Sequence, residues 1–432
     1  MNRLSPLTNY IFLKVIKICF FALDVEKKRN NFRIVYYLAA VGDFNMVMLV
    51  LLSIIYGTNK GLSTVEIGLI GGAYGFAYIF MPAILGNMSD KFTRKSSLIS
   101  ATTGQMIITL IFFFIIQVQE FLFYGLFFCL FLYGVVYGFF WPSIEAFISE
   151  HTEHSPKQHE KAIAYFCIAW SIGYSLGPLV GGYLSDINFI LAFILAFILY
   201  ATSFLLICFK LPSIKPKYYN NRKQNNNQYR DNEIKEVHGN KKTHANKKFI
   251  MLLMGVMIYG IISKVLLSYF TNYAALPDGL NWNGTLIGQV MFFFGLGRTS
   301  YFIIARFLKN SFAAITQSLL VISPCLLLLA FFEPPSIISF IFFIIGFFVG
   351  RSYLVSLELM LKYEQEKKGA KAGIFESSVG IGSALSPLIA GSIAIINLKL
   401  PFFIFAGFVL LLMVIHLLLR KKVSEGQIKT PD

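Results

Sequence analysis

Twelve apolar segments, each long enough to cross a lipid bilayer, dominate the sequence. A spanning helix needs about 20 mostly apolar residues. Such runs occupy 34–56, 65–85, 96–116, 121–148, 162–184 and 189–209, then 249–273, 284–307, 312–332, 337–361, 372–396 and 401–419. They predict an all-α membrane protein. The region 210–248 breaks the series. It is rich in Asn and Lys and has no apolar periodicity, which predicts a flexible, solvated linker. The blocks on either side, 34–209 and 249–420, are nearly equal in length, so each reads as one six-helix bundle. An N-terminal arm (1–33) and a short tail (421–432) complete the domain plan. Within the arm, 10–22 is apolar but carries Lys14 and Lys17. It is too short and too charged to span, and predicts an interfacial helix.

Composition excludes most other classes. Of 432 residues, 56% are hydrophobic and only 14% charged. That leaves too few polar residues to cover soluble domains, so a soluble enzyme, a disordered chain and a nucleic-acid binder are all poor readings. The net charge of +16 acquires meaning from its placement. With the N-terminus inside, 33 of the 38 Lys and Arg fall on the cytoplasmic side, and only Lys60 and Lys399 fall opposite. Basic residues collect on the cytoplasmic face, so both termini are expected there, with the protein in the plasma membrane. An odd number of spans would destroy this asymmetry. The five cysteines are scattered and read as packing residues. His151, His154 and His159 share one loop without a fixed scaffold, so no metal site is expected, and no cofactor.

The two blocks resemble each other. Ile172 to Gly182 reads IGYSLGPLVGG and Ile381 to Gly391 reads IGSALSPLIAG, identical at six of eleven positions at a constant offset of 209. A weaker echo pairs Ile67, Gly68 and Gly75 with Ile287, Gly288 and Gly295. Parallel repeats of six spans suit a transporter with its site near the midplane, between pseudo-symmetric halves.

Two motifs carry a family resemblance. The loop after span 2 reads Gly86-Asn87-Met88-Ser89-Asp90-Lys91-Phe92-Thr93-Arg94-Lys95. It resembles the loop 2–3 signature of the major facilitator superfamily, with Met88 in place of Leu and Thr93 in place of a second Gly. Span 5 contains Gly173-x-x-x-Gly177-Pro178-x-x-Gly181-Gly182, similar to the span-5 signature of antiporters in that superfamily. An Arg that drug antiporters carry in span 4 is absent, its place taken by Val135. The resemblance implies a fold of twelve transmembrane helices working by alternating access. It also implies a cytoplasmic gate made by Gly86, Asp90, Lys91, Arg94 and Lys95, with the loop latching the two halves together. Glu145, Glu150 and Glu358 would be the gate acids, with Glu145 or Glu150 holding Arg94 and Glu376 joining them.

Ionisable residues within spans are costly and mark functional sites by default. Asp43 in span 1, Lys264 in span 7, Arg298 in span 8 and Arg351 in span 10 are the candidates for substrate or proton binding. Asp43 paired with Lys264 as a structural ion pair is the alternative. Tyr36, Asn45, Tyr137, Trp141, Tyr259 and Tyr353 are candidates for an amphipathic cavity wall. The expected function is secondary transport, as proton-linked efflux of a small organic molecule by a monomer in the lipid bilayer. Uptake or uniport of an organic anion or zwitterion is the second reading, and a non-transporting sensor or scaffold with the same fold is the third. No Ser/His/Asp cluster at either face suggests an enzyme.

Overall fold

The computed structural model describes residues 30–89, 92–152, 156–213, 239–308, 311–363 and 368–428. The expected interfacial segment 10–22 and most of the linker lie outside the described residues. Backbone polar groups in a bilayer must be satisfied within the chain, and among the described residues they are satisfied by helices throughout. Among the described residues, eleven helices are long and apolar enough to cross a membrane, and Phe312–Leu328 is a shorter apolar helix in the ninth place. The twelve-span plan therefore holds, with span 9 ending before the expected 332.

Two spans are not regular. Span 2 consists of Thr64–Tyr78 and Met81–Ser89. Pro82 lacks the N–H that would bond the Tyr78 carbonyl, and its ring crowds the preceding turn. Span 7 runs Gly239–Lys264, continues as a π-helical turn over Val265–Phe270, and closes with Thr271–Ala275. Lys264 is the last α-helical residue before that widened turn. Neither break was anticipated from hydropathy, which reports length and polarity but not backbone pitch.

The two halves meet along two seams. Span 5 (Pro156–Ile187) lies against span 8 (Gly284–Ile304), and span 11 (Lys368–Ala394) lies against span 2. A Cβ on Gly182, Gly288 or Gly295 would collide with Gly284, Pro178 and Ser175 respectively. On the other seam, a Cβ on Gly391, Gly68 or Gly75 would collide with Thr64, Pro387 and Ala384. These are the same contacts repeated. Gly182, Pro178 and Ser175 precede Gly391, Pro387 and Ala384 by 209 positions, and the span 2 and span 8 partners differ by 220. The two sequence echoes thus pack on each other. With no hydrophobic drive between helices in lipid, small residues that admit close backbone contact supply the association.

Span 5 uses its glycines on two faces. Gly173, Gly177 and Gly181 lie against Ala40, Phe44 and Met48 of span 1 (Asn30–Asn59), one helical turn apart. Pro178 and Gly182 face span 8 instead. The span-5 motif therefore joins its own half and bridges to the other.

Added methyls should separate a seam at a cost of about 1–3 kcal/mol. Gly75→Ala and Gly288→Ala should each lower the melting temperature of the purified protein. Gly407→Ala, where nothing beyond its own stretch of helix lies within 4 Å of the new methyl, should not lower it. Equal melting curves for all three would contradict the seam assignment.

Candidate functional site

Three of the four intramembrane charges converge between the halves. Asp43, Lys264 and Arg298 are 6%, 5% and 0% exposed. Arg298 is enclosed most completely. Its guanidinium carbon lies 4.4 Å from the Trp170 ring centre and 4.0 Å from that of Tyr174, both on span 5. Its Nε donates to the Ser171 hydroxyl at 3.0 Å and its Nη1 to the Tyr259 hydroxyl at 3.3 Å. Its Nη2 is buried and has no hydrogen-bond partner among the described residues. Aromatic faces attract a cation most strongly where water is excluded.

Lys264 points toward span 1. Its Nζ lies 3.8 Å from Met46 Sδ and 4.7 Å from the ring centre of Tyr74. Asp43 has Arg298 and Lys264 as its electrostatic neighbours, but no hydrogen bond or ion pair within 4.0 Å reaches its carboxylate among the described residues. The Asp43–Lys264 pair weighed from the sequence is therefore not a contact. The backbone beside Asp43 is fixed by Tyr137, whose hydroxyl donates to the Gly42 carbonyl at 2.7 Å and lies 3.1 Å from the Tyr200 hydroxyl. Arg351 stands apart from these three. Its Nη2 donates to Gln317 of span 9 at 2.8 Å, within its own half.

Several hydrogen bonds join the halves at the end remote from the termini. Thr58 of span 1 donates to the Asn272 side-chain carbonyl of span 7 at 2.8 Å. Thr64 donates to the Gly391 carbonyl at 3.0 Å. Asp186, at the end of span 5, accepts from the Gly284 and Thr285 amides at 2.8 Å and from the Thr285 hydroxyl at 2.6 Å. A carboxylate at a helix N-terminus is held by orphan N–H groups and by the helix dipole. These bonds hold the two halves together at this end.

The candidate gate at the other end is divided. Arg94 donates through Nε (3.1 Å) and Nη2 (2.7 Å) to Glu150 Oε1, so of the two proposed acids Glu150 holds it. Lys95 donates to the Cys208 carbonyl at 2.7 Å, near the end of span 6. Both contacts stay inside the N-terminal half. Thr93 stands where the family pattern has glycine, yet its φ of −71° requires none, and its hydroxyl caps span 3 by accepting from the Ser96 amide. Asp90 and Lys91 lie outside the described residues, as do the surroundings of Gly86. Across the halves, the Tyr78 hydroxyl donates to Glu376 Oε2 at 3.0 Å, and Ser377 donates to the Ile79 carbonyl at 2.8 Å. Glu145 is an electrostatic neighbour of Glu376. Glu358 is exposed on span 10.

Sequence reasoning missed Trp170, Ser171, Tyr174 and Tyr78. The first three immediately precede or enter the repeated span-5 motif, and that adjacency was the available signal. Arg94 and Glu150 have side chains 5% and 25% exposed. A double-mutant cycle on Arg94→Met and Glu150→Met should give a coupling of about 1–3 kcal/mol, with each single variant melting lower than the double. Additive effects would show that the pair contributes nothing.

Known proteins resemble this chain in sequence and fold. A family model described as Major Facilitator Superfamily matches residues 34–363. Multidrug resistance protein 1 of Bacillus subtilis is 24% identical over 363 residues, covering 79% of this chain and 84% of its own. The human organic anion transporter whose structure is known superposes with a TM-score of 0.65 at 16% identity, over 90% of this chain and 100% of its own. A POT family transporter solved with 5-aminolevulinic acid superposes with a TM-score of 0.72 at 13% identity, over 91% and 96%. The chain is a multi-pass integral membrane protein and belongs to the Major Facilitator Superfamily of transporters.

Proposed function

We propose that this transporter exports a small organic molecule in exchange for protons, with Asp43 carrying the proton. The observation that carries this reading is the buried carboxylate of Asp43, which has Arg298 and Lys264 as electrostatic neighbours and no direct partner among the described residues. An aspartate so placed can gain or lose a proton without breaking a contact, while the change alters the charge balance around Lys264 and Arg298. The halves rock about the two glycine seams, and the Thr58–Asn272 and Asp186–Gly284 contacts break when the remote end opens. The loop containing Asp90, Lys91, Arg94 and Lys95 closes the opposite end, with Glu145, Glu150 and Glu358 near it. Export is supported by likeness to the Bacillus multidrug resistance protein and by the span-5 motif. The Lys and Arg asymmetry supports cytoplasmic termini in the cell membrane, and the protein works as a monomer. Arg351 supplies further positive charge from span 10.

Proteoliposomes holding the full chain, under an imposed pH gradient, test the coupling. One proton per cycle supports an accumulation of about tenfold per pH unit, since each 1.4 kcal/mol is a factor of ten. A panel of ethidium, 2-naphthoate and a neutral naphthalene amide serves as probes, with empty liposomes as the blank. The wild-type protein should accumulate a panel member against its gradient. Asp43→Asn should abolish that accumulation but retain exchange at equal concentrations. Accumulation that survives Asp43→Asn would remove Asp43 as the proton carrier.

A further inference from the structure

Arg298 carries its charge where the protein supplies no negative partner in contact. Trp170 and Tyr174 cover its guanidinium, but ring faces satisfy charge and not the in-plane N–H groups. Those groups meet two neutral hydroxyls, from Ser171 and Tyr259, the latter at a long 3.3 Å. Nη2 donates to nothing although it is buried. An unmet buried donor on a charged group is among the costlier arrangements a fold can carry, so an acceptor is missing from the edge of this side chain. Lys264 has a weak acceptor, the Met46 thioether, and the Tyr74 ring beside it.

The charge balance states what kind of acceptor is missing. Asp43 offsets one of the two cations, leaving one positive charge in a membrane interior. Glu376 accepts from Tyr78, and neither it nor Glu145 has Lys264 or Arg298 among its electrostatic neighbours. A single incoming carboxylate would bring Asp43, Lys264, Arg298 and itself to neutrality, whereas an incoming cation would leave two charges unmatched. The walls state the shape. Trp170 from the N-terminal half meets Tyr259 and Tyr353 of the C-terminal half, with ring centres 6.3 and 5.7 Å away and the two tyrosines 4.6 Å apart. These rings already touch one another, so a flat apolar group would extend the aromatic cluster by lying against its face or edge, not by entering between its members.

The geometry points to Arg298 as the anchor of a binding site for an organic monoanion with a flat aromatic body. The carboxylate accepts from Nη2 and takes the weakly held Nη1 donor from Tyr259, as a guanidinium fork allows. The ring lies against Trp170 and Tyr259. Walls from both halves grip the ligand together. This rests on the central-site reading above and adds the sign of the substrate's charge and its shape.

Binding to the purified full chain in detergent tests it. The probes are 2-naphthoate, 2-naphthamide and 2-naphthylmethylammonium, which share a body and differ in charge. Ligand that binds the folded state raises the melting temperature by mass action. The acid should bind at least tenfold more tightly than the amide or the amine. Arg298→Lys, which keeps the charge but loses the fork, should weaken the acid at least tenfold and change the amide less than twofold. Trp170→Leu should weaken acid and amide alike. The comparison of acid with amide uses the wild-type protein, so it stands even where Arg298→Lys does not fold. Equal affinity for acid and amide, preference for the amine, or no binding by any of the three would overturn the assignment. Preference for the amine, lost in Asp43→Asn, would overturn the anion assignment alone and leave the central site as the place of transport. Failure of the transport reading would show separately, as liposome accumulation indifferent to Asp43→Asn.

Discussion

Close contact between backbones along two seams is the constraint on which the rest of the molecule depends. In lipid, apolar side chains gain nothing by leaving their surroundings for one another, so helices associate by shape, dispersion and polar contacts. At the span 5–8 and span 2–11 seams, glycine on one side lets carbonyls of the other approach where a methyl group could not fit. The cage around Arg298 takes its position from the first of these seams. Trp170, Ser171 and Tyr174 stand on span 5 one turn beyond the seam contacts, and Arg298 stands correspondingly on span 8. The Tyr78–Glu376 bond continues the other seam in the same way.

Much of this was legible from residue order. The spans follow from hydropathy and length alone, and the two internal echoes located the glycine and proline positions that the seams use. Asp43, Lys264 and Arg298 stood out because charges inside spans are rare. What escaped was the identity of their neighbours. Helical periodicity places residues 170, 171 and 174 on one side of span 5, but not which of several apolar helices that side meets. The absence of a contact between Asp43 and Lys264 was equally invisible, since two opposite charges in a sequence invite pairing on paper. The break at Pro82 had a visible cause. The π-helical turn after Lys264 had none, because Val265–Phe270 reads as ordinary apolar helix.

The central charges are held by aromatic and hydroxyl groups in place of ion pairs. Arg298 rests between two rings, and Lys264 lies over Tyr74. A direct salt bridge would fix the pair in one geometry and resist any newcomer. Ring faces provide attraction without consuming the in-plane donors, so the cations stay available to a partner that arrives from outside. The centre is thus buried and yet chemically open.

The repeat also has an evolutionary side. Tyr78 and Arg298 occupy the same place in the two echoed spans, 220 positions apart, and Glu376 corresponds to Cys167 at the offset of 209. If the halves descend from one duplicated ancestor, the seam was inherited twice and then diverged at one step along it. One copy acquired a tyrosine–carboxylate bond and the other a cation caged by aromatic rings. Symmetry of the scaffold and asymmetry of the cargo site are then two stages of one history, and each seam residue has a sister position that serves as its internal control.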